Sequence, residues 1–278
     1  MAEAETQQDM GFMDHLEELR RRLFYALVGI LAAAIVLFVA KDWVFERLIF
    51  APRDPNFITF RAWCALSHLT GAGDRLCVTD IRYELITTTM LGNFSAHILV
   101  SAIGGFIVSF PLTFRQIWQF IRPGLHGEEA SAVRGVTWAA SILFFAGVCF
   151  GYFVIAPLSL QFLGHYEIGD VEPRIALMSY LKTVASITLA AGLIFQVPVL
   201  MHFLAKMGLV TPTGLRKFRK HTLVVTLILA AIITPPDLTS QVLVALPVLG
   251  LYEIGILQVK RIFKRQQAEA RANPTSER

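Results

Sequence analysis

The chain has 278 residues, 55% of them hydrophobic and only 17% charged, with a formal net charge of +4. That is far too apolar for one soluble domain and points to a polytopic membrane protein. The excess positive charge falls largely between apolar runs, so it is a topology signal and not a nucleic-acid footprint.

The first informative stretch is Asp14-His15-Leu16-Glu17-Glu18-Leu19-Arg20-Arg21-Arg22-Leu23. Leu16, Leu19 and Leu23 recur at helical spacing, which predicts a short amphipathic helix over about 13–22 leading into a span. Arg20, Arg21 and Arg22 hold that end on the cytoplasmic side. Glu17 and Glu18 are not needed for anchoring, and we expect them to face a basic partner. Leu23 to Ala40 is the first span, read as a retained signal anchor because Lys41-Asp42-Trp43 is a poor cleavage context.

Residues 41–85 form the longest polar connection, amphipathic up to Pro52 and loop-like at Gly71, Gly73 and Asp74. The second span covers about Thr88–Phe110 and ends near Pro111. A polar hairpin over Thr113–Arg134 follows, then a third span over about Val136–Ile155 with Pro157 beyond it. Ser159–Leu181 is a loop, and about Val184–Leu204 is the fourth span. The last two apolar runs, Thr222–Thr234 and Leu238–Tyr252, are short and separated only by Pro235-Pro236-Asp237. A buried re-entrant hairpin would explain them. Two short spans fit better, because Arg216–Lys220 and Lys260–Arg265 then fall on one side. The basic segments thus give six spans with both termini cytoplasmic. The expectation is one membrane domain over 1–265, with an external loop over 41–85, and a disordered tail over 266–278.

Several polar groups need a reason. Gln196 lies two residues before Pro198, which frees a carbonyl one turn earlier. The amide either satisfies that carbonyl or serves as a polar handle for another membrane helix, and the sequence leaves both readings open. Glu253 is expected to snorkel to the interface or pair with Lys260. Asp237 reads as a turn or N-cap residue. His97 and His202 read as packed interior histidines, and Cys149 as a packing residue. Cys64 and Cys77 share the 41–85 loop; outside the cytoplasm a disulfide is permitted, but spacing does not report whether they approach closely enough. No second Cys or His pair accompanies them at zinc-ligand spacing, so no metal site is expected. Glu128 and Glu129 read by default as solvated loop carboxylates, yet with the N-terminal helix they could form an acidic patch favouring an arginine-bearing peptide. There is no Walker lysine loop, Gly-x-Ser-x-Gly elbow or His-Glu-x-x-His, so neither catalytic residues nor a cofactor are expected.

The motifs taken together resemble the TatC family, the multispanning subunit of the twin-arginine protein translocase. His15-Leu16-x-Glu18-Leu19-Arg20-x-Arg22-Leu23 resembles its N-terminal signature. Ser109-x-Pro111, then Gln116-x-Trp118-x-Phe120-Ile121-x-Pro123-Gly124-Leu125 and Glu129, resembles its first cytoplasmic loop. Phe150-x-Tyr152-Phe153 with Pro157 resembles its third span, and Thr234-Pro235-Pro236-Asp237-x-x-Ser240-Gln241 with Pro247 and Glu253-Ile254-Gly255 its last two.

The resemblance implies an all-α membrane protein, with six helices in a concave, glove-like bundle in the bacterial inner membrane. It implies recognition of Arg-Arg signal peptides of folded proteins, with Glu18 and Glu129 pairing with the arginines. Leu16, Arg20 and the Phe120–Pro123 segment would shape that site. Single-span TatA/TatB-type subunits would dock along the fourth to sixth spans, near Gln196 and Pro198, and the proton-motive force would drive transport. Pro52, Asp237 and Glu253 would be structural. Two departures stand out: Gln196 occupies a position where the family usually carries Glu, and the 41–85 loop is long. The competing class is a secondary transporter of small solutes. It predicts two equivalent halves with matched broken helices, and Pro111, Pro157, Pro198 and Pro247 do not divide that way.

Overall fold

The computed structural model describes residues 12–69, 71, 73, 77, 83–121, 130–166, 174–233 and 238–272. Helix α1 (Phe12–Val39) joins the amphipathic segment and the first span without a break. A turn of helix, α2 (Lys41–Trp43), leads into a π-helical turn (Val44–Ile49), a 3₁₀ turn (Ala51–Arg53) and α3 (Ile58–Leu69). Strand β1 (Glu84–Ile86) precedes α4 (Gly92–Ile121) and α5 (Ala130–Phe150). A second π-helical turn (Gly151–Ile155) runs into α6 (Ala156–His165), followed by strand β2 (Arg174–Ala176). Then come α7 (Leu177–Ile194), α8 (Val197–Lys206), α9 (Pro212–Lys217), α10 (Arg219–Ile233) and α11 (Leu238–Ala272).

Among the described residues, five stretches are long and apolar enough to cross a membrane: Leu16–Val39, Gly92–Phe120, Gly135–His165, Leu177–Lys206 and Gln241–Gln267. Helix α10, with 15 residues, extends about 22 Å at 1.5 Å per residue. It is shorter than these five and corresponds to the short apolar run expected over Thr222–Thr234.

The helices overrun several expected boundaries. Helix α4 passes through Pro111 and continues to Ile121, taking up much of the expected polar hairpin. A proline costs a helix one N–H bond, which packing against neighbours can offset in a span. The third span likewise continues past Pro157 to His165. There the π-helical turn over Gly151–Ile155 comes just before the proline, which occupies the first turn of α6 where its missing N–H does least harm. Helix α11 is 35 residues long, so of the last two helices only α10 is short. The run Lys260–Arg265 and the Gln and Ala residues after it are good helix formers. The helix therefore enters the expected tail and ends at Ala272.

Over its described residues up to Leu69 the 41–85 connection is mostly helical; Asp74 lies outside the described residues. Among its residues, α3 was hidden by the glycine-rich turn that follows it. The two long connections at this end also meet: β1 and β2 pair in parallel, Glu84 opposite Arg174 and Ile86 opposite Ala176. Two tyrosines anchor the first connection to the bundle. Tyr180 Oη donates to the Ile49 carbonyl at 2.7 Å, and Tyr152 Oη donates to that of Leu48. Thr59 Oγ1 donates to the Phe153 carbonyl. Pro52 is fully buried beneath this cap.

The main core lies between α4, α5, the second π-helical turn and α7, around Ala96, Ile155, Tyr180, Leu181 and Ile187. Met201, Ala205, Tyr252, Ile256 and Val259 form a second cluster between α8 and α11. Close approach depends on small residues. A Cβ on Gly105 would stand 2.7 Å from the Ala34 backbone nitrogen, where α4 meets α1. One on Gly147 would stand 2.6 Å from the Ala191 carbonyl oxygen, where α5 meets α7. A half-open apolar cavity of about 260 Å³ remains near the cap, lined by Leu37, Ile49, Val100, Val148, Leu181 and Thr188 among others.

Candidate functional site

At the N-terminal end of α1, helical periodicity separates the two glutamates. Glu17 points outward and pairs loosely with Arg20 at 3.8 Å, both largely exposed. Such a pair contributes little. Glu18 turns inward: its side chain is 17% exposed and its Oε1 accepts from Arg22 Nη2 at 3.2 Å. Glu18 therefore has a basic partner within the chain itself. The spacing of four on one helix face brings the two together.

Arg22 is in turn fastened to α4. Its Nη1 donates to Gln119 Oε1 at 2.6 Å and, at the limit of a hydrogen bond, to Gln116 Oε1 at 3.4 Å. The two glutamines of the Gln116-x-Trp118-Gln119-Phe120 stretch thus face α1 on the same side of α4. Trp118 points the other way, is buried, stacks on Phe114 and meets Phe203 of α8 edge-on. The signal for the Arg22 contacts was legible only in hindsight: an arginine near the N-terminus of one span and two amides at the end of another.

Leu16 and Leu19, 42% and 38% exposed, give this face an apolar border. Arg20 is exposed and belongs to the Glu17 side. Phe120 is half-buried at the end of α4. Pro123 and Glu129 lie outside the described residues, as does Asp237.

A second polar position lies where the fourth span breaks. Helix α7 ends at Ile194, and α8 starts at Val197 with Pro198 in its first turn. Gln196 Nε2 donates to the Ala140 carbonyl of α5 at 3.1 Å. The amide thus ties two spans together and does not serve a carbonyl freed by Pro198. Its Oε1 is buried and has no partner among the described residues.

Glu253 of α11 accepts from Arg219 of α10 at 2.5 Å, and not from Lys260. The cross-helix pair reaches a cation that the sequence places 34 residues away. Nearby, Gln241 Nε2 donates to the Leu227 carbonyl and Tyr252 Oη to that of Leu215, fixing α11 against α10 and α9.

At the capped end, Cys64 and Cys77 are joined by a disulfide, with their Cα atoms 4.4 Å apart. His68 sits one turn after Cys64, and the three side chains bring their ligand atoms within 4.8 Å of one another. With the sulfurs bonded to each other, neither is available as a thiolate ligand. Cys149 is the free cysteine and lines the apolar cavity. His97 stacks on Phe38, 3.8 Å between ring centroids, and its Nε2 bonds the Phe38 carbonyl at 2.9 Å.

Together these features define an all-α, multi-pass membrane protein with a polar cluster at the amino-terminal end of its first helix. Residues 14–247 match the family model of the Sec-independent protein translocase protein TatC, and the chain belongs to that family. It is 33% identical over 250 residues to the TatC of Blattabacterium sp. subsp. Periplaneta americana, covering 89% of this chain and 94% of that one. It is 32% identical over 249 residues to the TatC of Campylobacter jejuni, covering 89% and 93%. A crystal structure of a twin-arginine translocase receptor, TatC, superposes with a TM-score of 0.66 at 31% identity, covering 90% of this chain and 99% of that chain. A second, in DDM, gives 0.68 at 31% identity, covering 87% and 98%. The chain is therefore a component of a protein translocase, and the small-solute transporter reading falls away.

Proposed function

We propose that this chain is the receptor subunit of a twin-arginine translocase and binds Arg-Arg signal peptides of folded proteins at the α1–α4 polar cluster. The observation that carries the reading is Glu18. It is a largely buried carboxylate at the end of a membrane span, paired with a guanidinium that is itself anchored to the next span. A buried ion pair is a weak source of stability, so its presence asks for a role. A carboxylate matched to one guanidinium is suited to take another, and Glu129 would supply the second acid. Leu16 and Phe120 would border the peptide, with Pro123 and Arg20 shaping the rim. Both termini then face the cytoplasm of a bacterial inner membrane, and no nucleotide is used; the proton-motive force supplies the energy.

In the same reading, TatA/TatB-type single-span subunits dock against the broken fourth span. Gln196 supports this: its Oε1 is buried without a partner among the described residues, and a small shift at the break would let a neighbouring helix supply the missing donor. An amide in place of a carboxylate keeps that hydrogen bond but takes no part in proton exchange.

The test is binding of an Arg-Arg signal peptide to the purified protein in detergent. A Lys-Lys peptide and a Glu18→Gln, Glu129→Gln double variant serve as comparisons. Saturable binding lost in both supports the receptor reading. Equal binding in all three, or none even with a TatB-type subunit added, overturns it.

A further inference from the structure

We infer that Arg22, anchored by Gln119 and Gln116, is a positioning residue that orients the Glu18 carboxylate and thereby sets its preference for guanidinium over ammonium. The inference rests on the receptor reading above and goes one step further into the same site.

The geometry forms a chain across two helices. Gln119 Oε1 accepts from Arg22 Nη1 at 2.6 Å, and Arg22 Nη2 donates to Glu18 Oε1 at 3.2 Å. Both ends of the planar Arg22 fork are therefore engaged, one on α4 and one on α1, and the side chain is only 25% exposed. Its Nε is buried without a partner among the described residues. Displacing Arg22 from Glu18 would leave a buried guanidinium with neutral amide partners only, which is costly. Arg22 is thus a fixed part of the site and not a stand-in that leaves when a peptide arrives.

A fixed Arg22 uses one oxygen of Glu18 and leaves Oε2 without a partner among the described residues. It also pins the plane of the carboxylate. A second guanidinium bonds a carboxylate well only when the planes match, whereas an ammonium is a point charge with rotatable donors. Loosening the anchor should therefore cost an arginine peptide affinity and leave a lysine peptide nearly untouched. A residue that merely held α1 to α4 would weaken both equally or neither.

The experiment measures the Kd of an Arg-Arg peptide and of a Lys-Lys peptide for the wild type, Gln119→Leu and Gln119→Glu, in detergent. Thermal stability is recorded for each variant. Gln119→Leu should weaken the Arg-Arg peptide about tenfold, the loss of one charge-assisted bond. It should shift the Lys-Lys peptide by less than about twofold, so the Arg-to-Lys ratio collapses. Gln119→Glu keeps an acceptor for Arg22 and should keep the ratio. An unchanged ratio in Gln119→Leu, or an equal loss for both peptides, overturns the inference. If Gln119→Leu does not fold, Gln116→Leu removes the weaker contact and should give a smaller change of the same kind; no change in its ratio would overturn the inference. A wild type without any Arg-Arg preference is a different result: it would defeat the receptor reading itself.

Discussion

The two ends of the molecule are held together by opposite means. At the capped end the chain is stitched covalently and through its backbone: a disulfide, a parallel strand pair and tyrosine hydroxyls on carbonyls. At the other end α1 is held largely by a single neighbour, α4. In its most apolar stretch 6% of residues are buried, against 33–39% in the other four spans. It leans on α4 through small residues and the Glu18–Arg22–Gln119 chain. The cap spends its contacts on stability, while α1 presents a polar site from a helix with few other attachments. Perturbing the cap should therefore cost stability and spare recognition, and perturbing the α1–α4 contact should do the reverse in proportion.

The largest expected effect is at the cap. Replacing Cys64 and Cys77 by Ser opens a loop with a sequence separation of 13, and loop-closure entropy for that length puts the loss at about 3 kcal/mol. The melting temperature in detergent should fall, and reductant should lower it in the wild type only. Signal-peptide affinity should not move; a parallel loss of affinity would mean the two ends are coupled. Next is Gly105→Leu, whose Cβ would stand 2.7 Å from Ala34 backbone. Forcing α1 from α4 should cost about 1–3 kcal/mol and weaken Arg-Arg peptide binding, because Arg22 and Gln119 sit on opposite sides of that contact. Unchanged affinity would separate the site from the packing.

A pH dependence marks the cap again. Burial raises the Tyr83 hydroxyl to about 12, opposed in part by the Arg53 charge. A phenol with a raised folded pKa favours the folded state only while it is neutral. Its contribution is intact below about pH 10, where the unfolded chain starts to ionise, and is lost as pH rises from there toward 12. Melting temperature followed across that window should fall, and Tyr83→Phe should flatten part of the fall. The same slope in both would assign it to other groups.

The spans and their order were legible because each apolar run is long and the basic residues between them are plain. The proline boundaries misled: Pro111 and Pro157 suggest helix ends, but tertiary packing and a π-helical turn carry the helices through both. Strands of three residues leave no alternation to read, and β1 and β2 are joined only by the fold. At the site, the motif pointed to Glu18. The spacing of four allows Arg22 to engage it, but the sequence could not show that Arg22 is anchored on α4, because that depends on which face of α4 Gln119 occupies. Gln196 lies at the break between α7 and α8, and its partner, the Ala140 carbonyl, belongs to a helix whose register against α7 the sequence does not specify.

The smallest expected effect comes from the other ion pair. Arg219 and Glu253 are linked at 2.5 Å, shorter than Glu18 and Arg22, yet both side chains are 49% exposed. Distance alone would rank this pair above Glu18–Arg22; solvation reverses the order. Water and counterions can replace either partner, so Glu253→Gln should cost no more than about 1 kcal/mol, less still in high salt. Gln241 and Tyr252, which bond backbone carbonyls of α10 and α9, should hold α11 in place without it. Glu18→Gln differs because it leaves a guanidinium only 25% exposed without its anion, and a buried charge stripped of its partner is far more costly than an exposed one. Melting both variants at low and high salt separates the cases. A salt-sensitive, sub-kilocalorie change at Glu253 beside a larger, salt-insensitive one at Glu18 is the expected pattern. Equal losses would mean that burial does not distinguish the two pairs, and the reading of Glu18 as the one with a task would lose its physical basis.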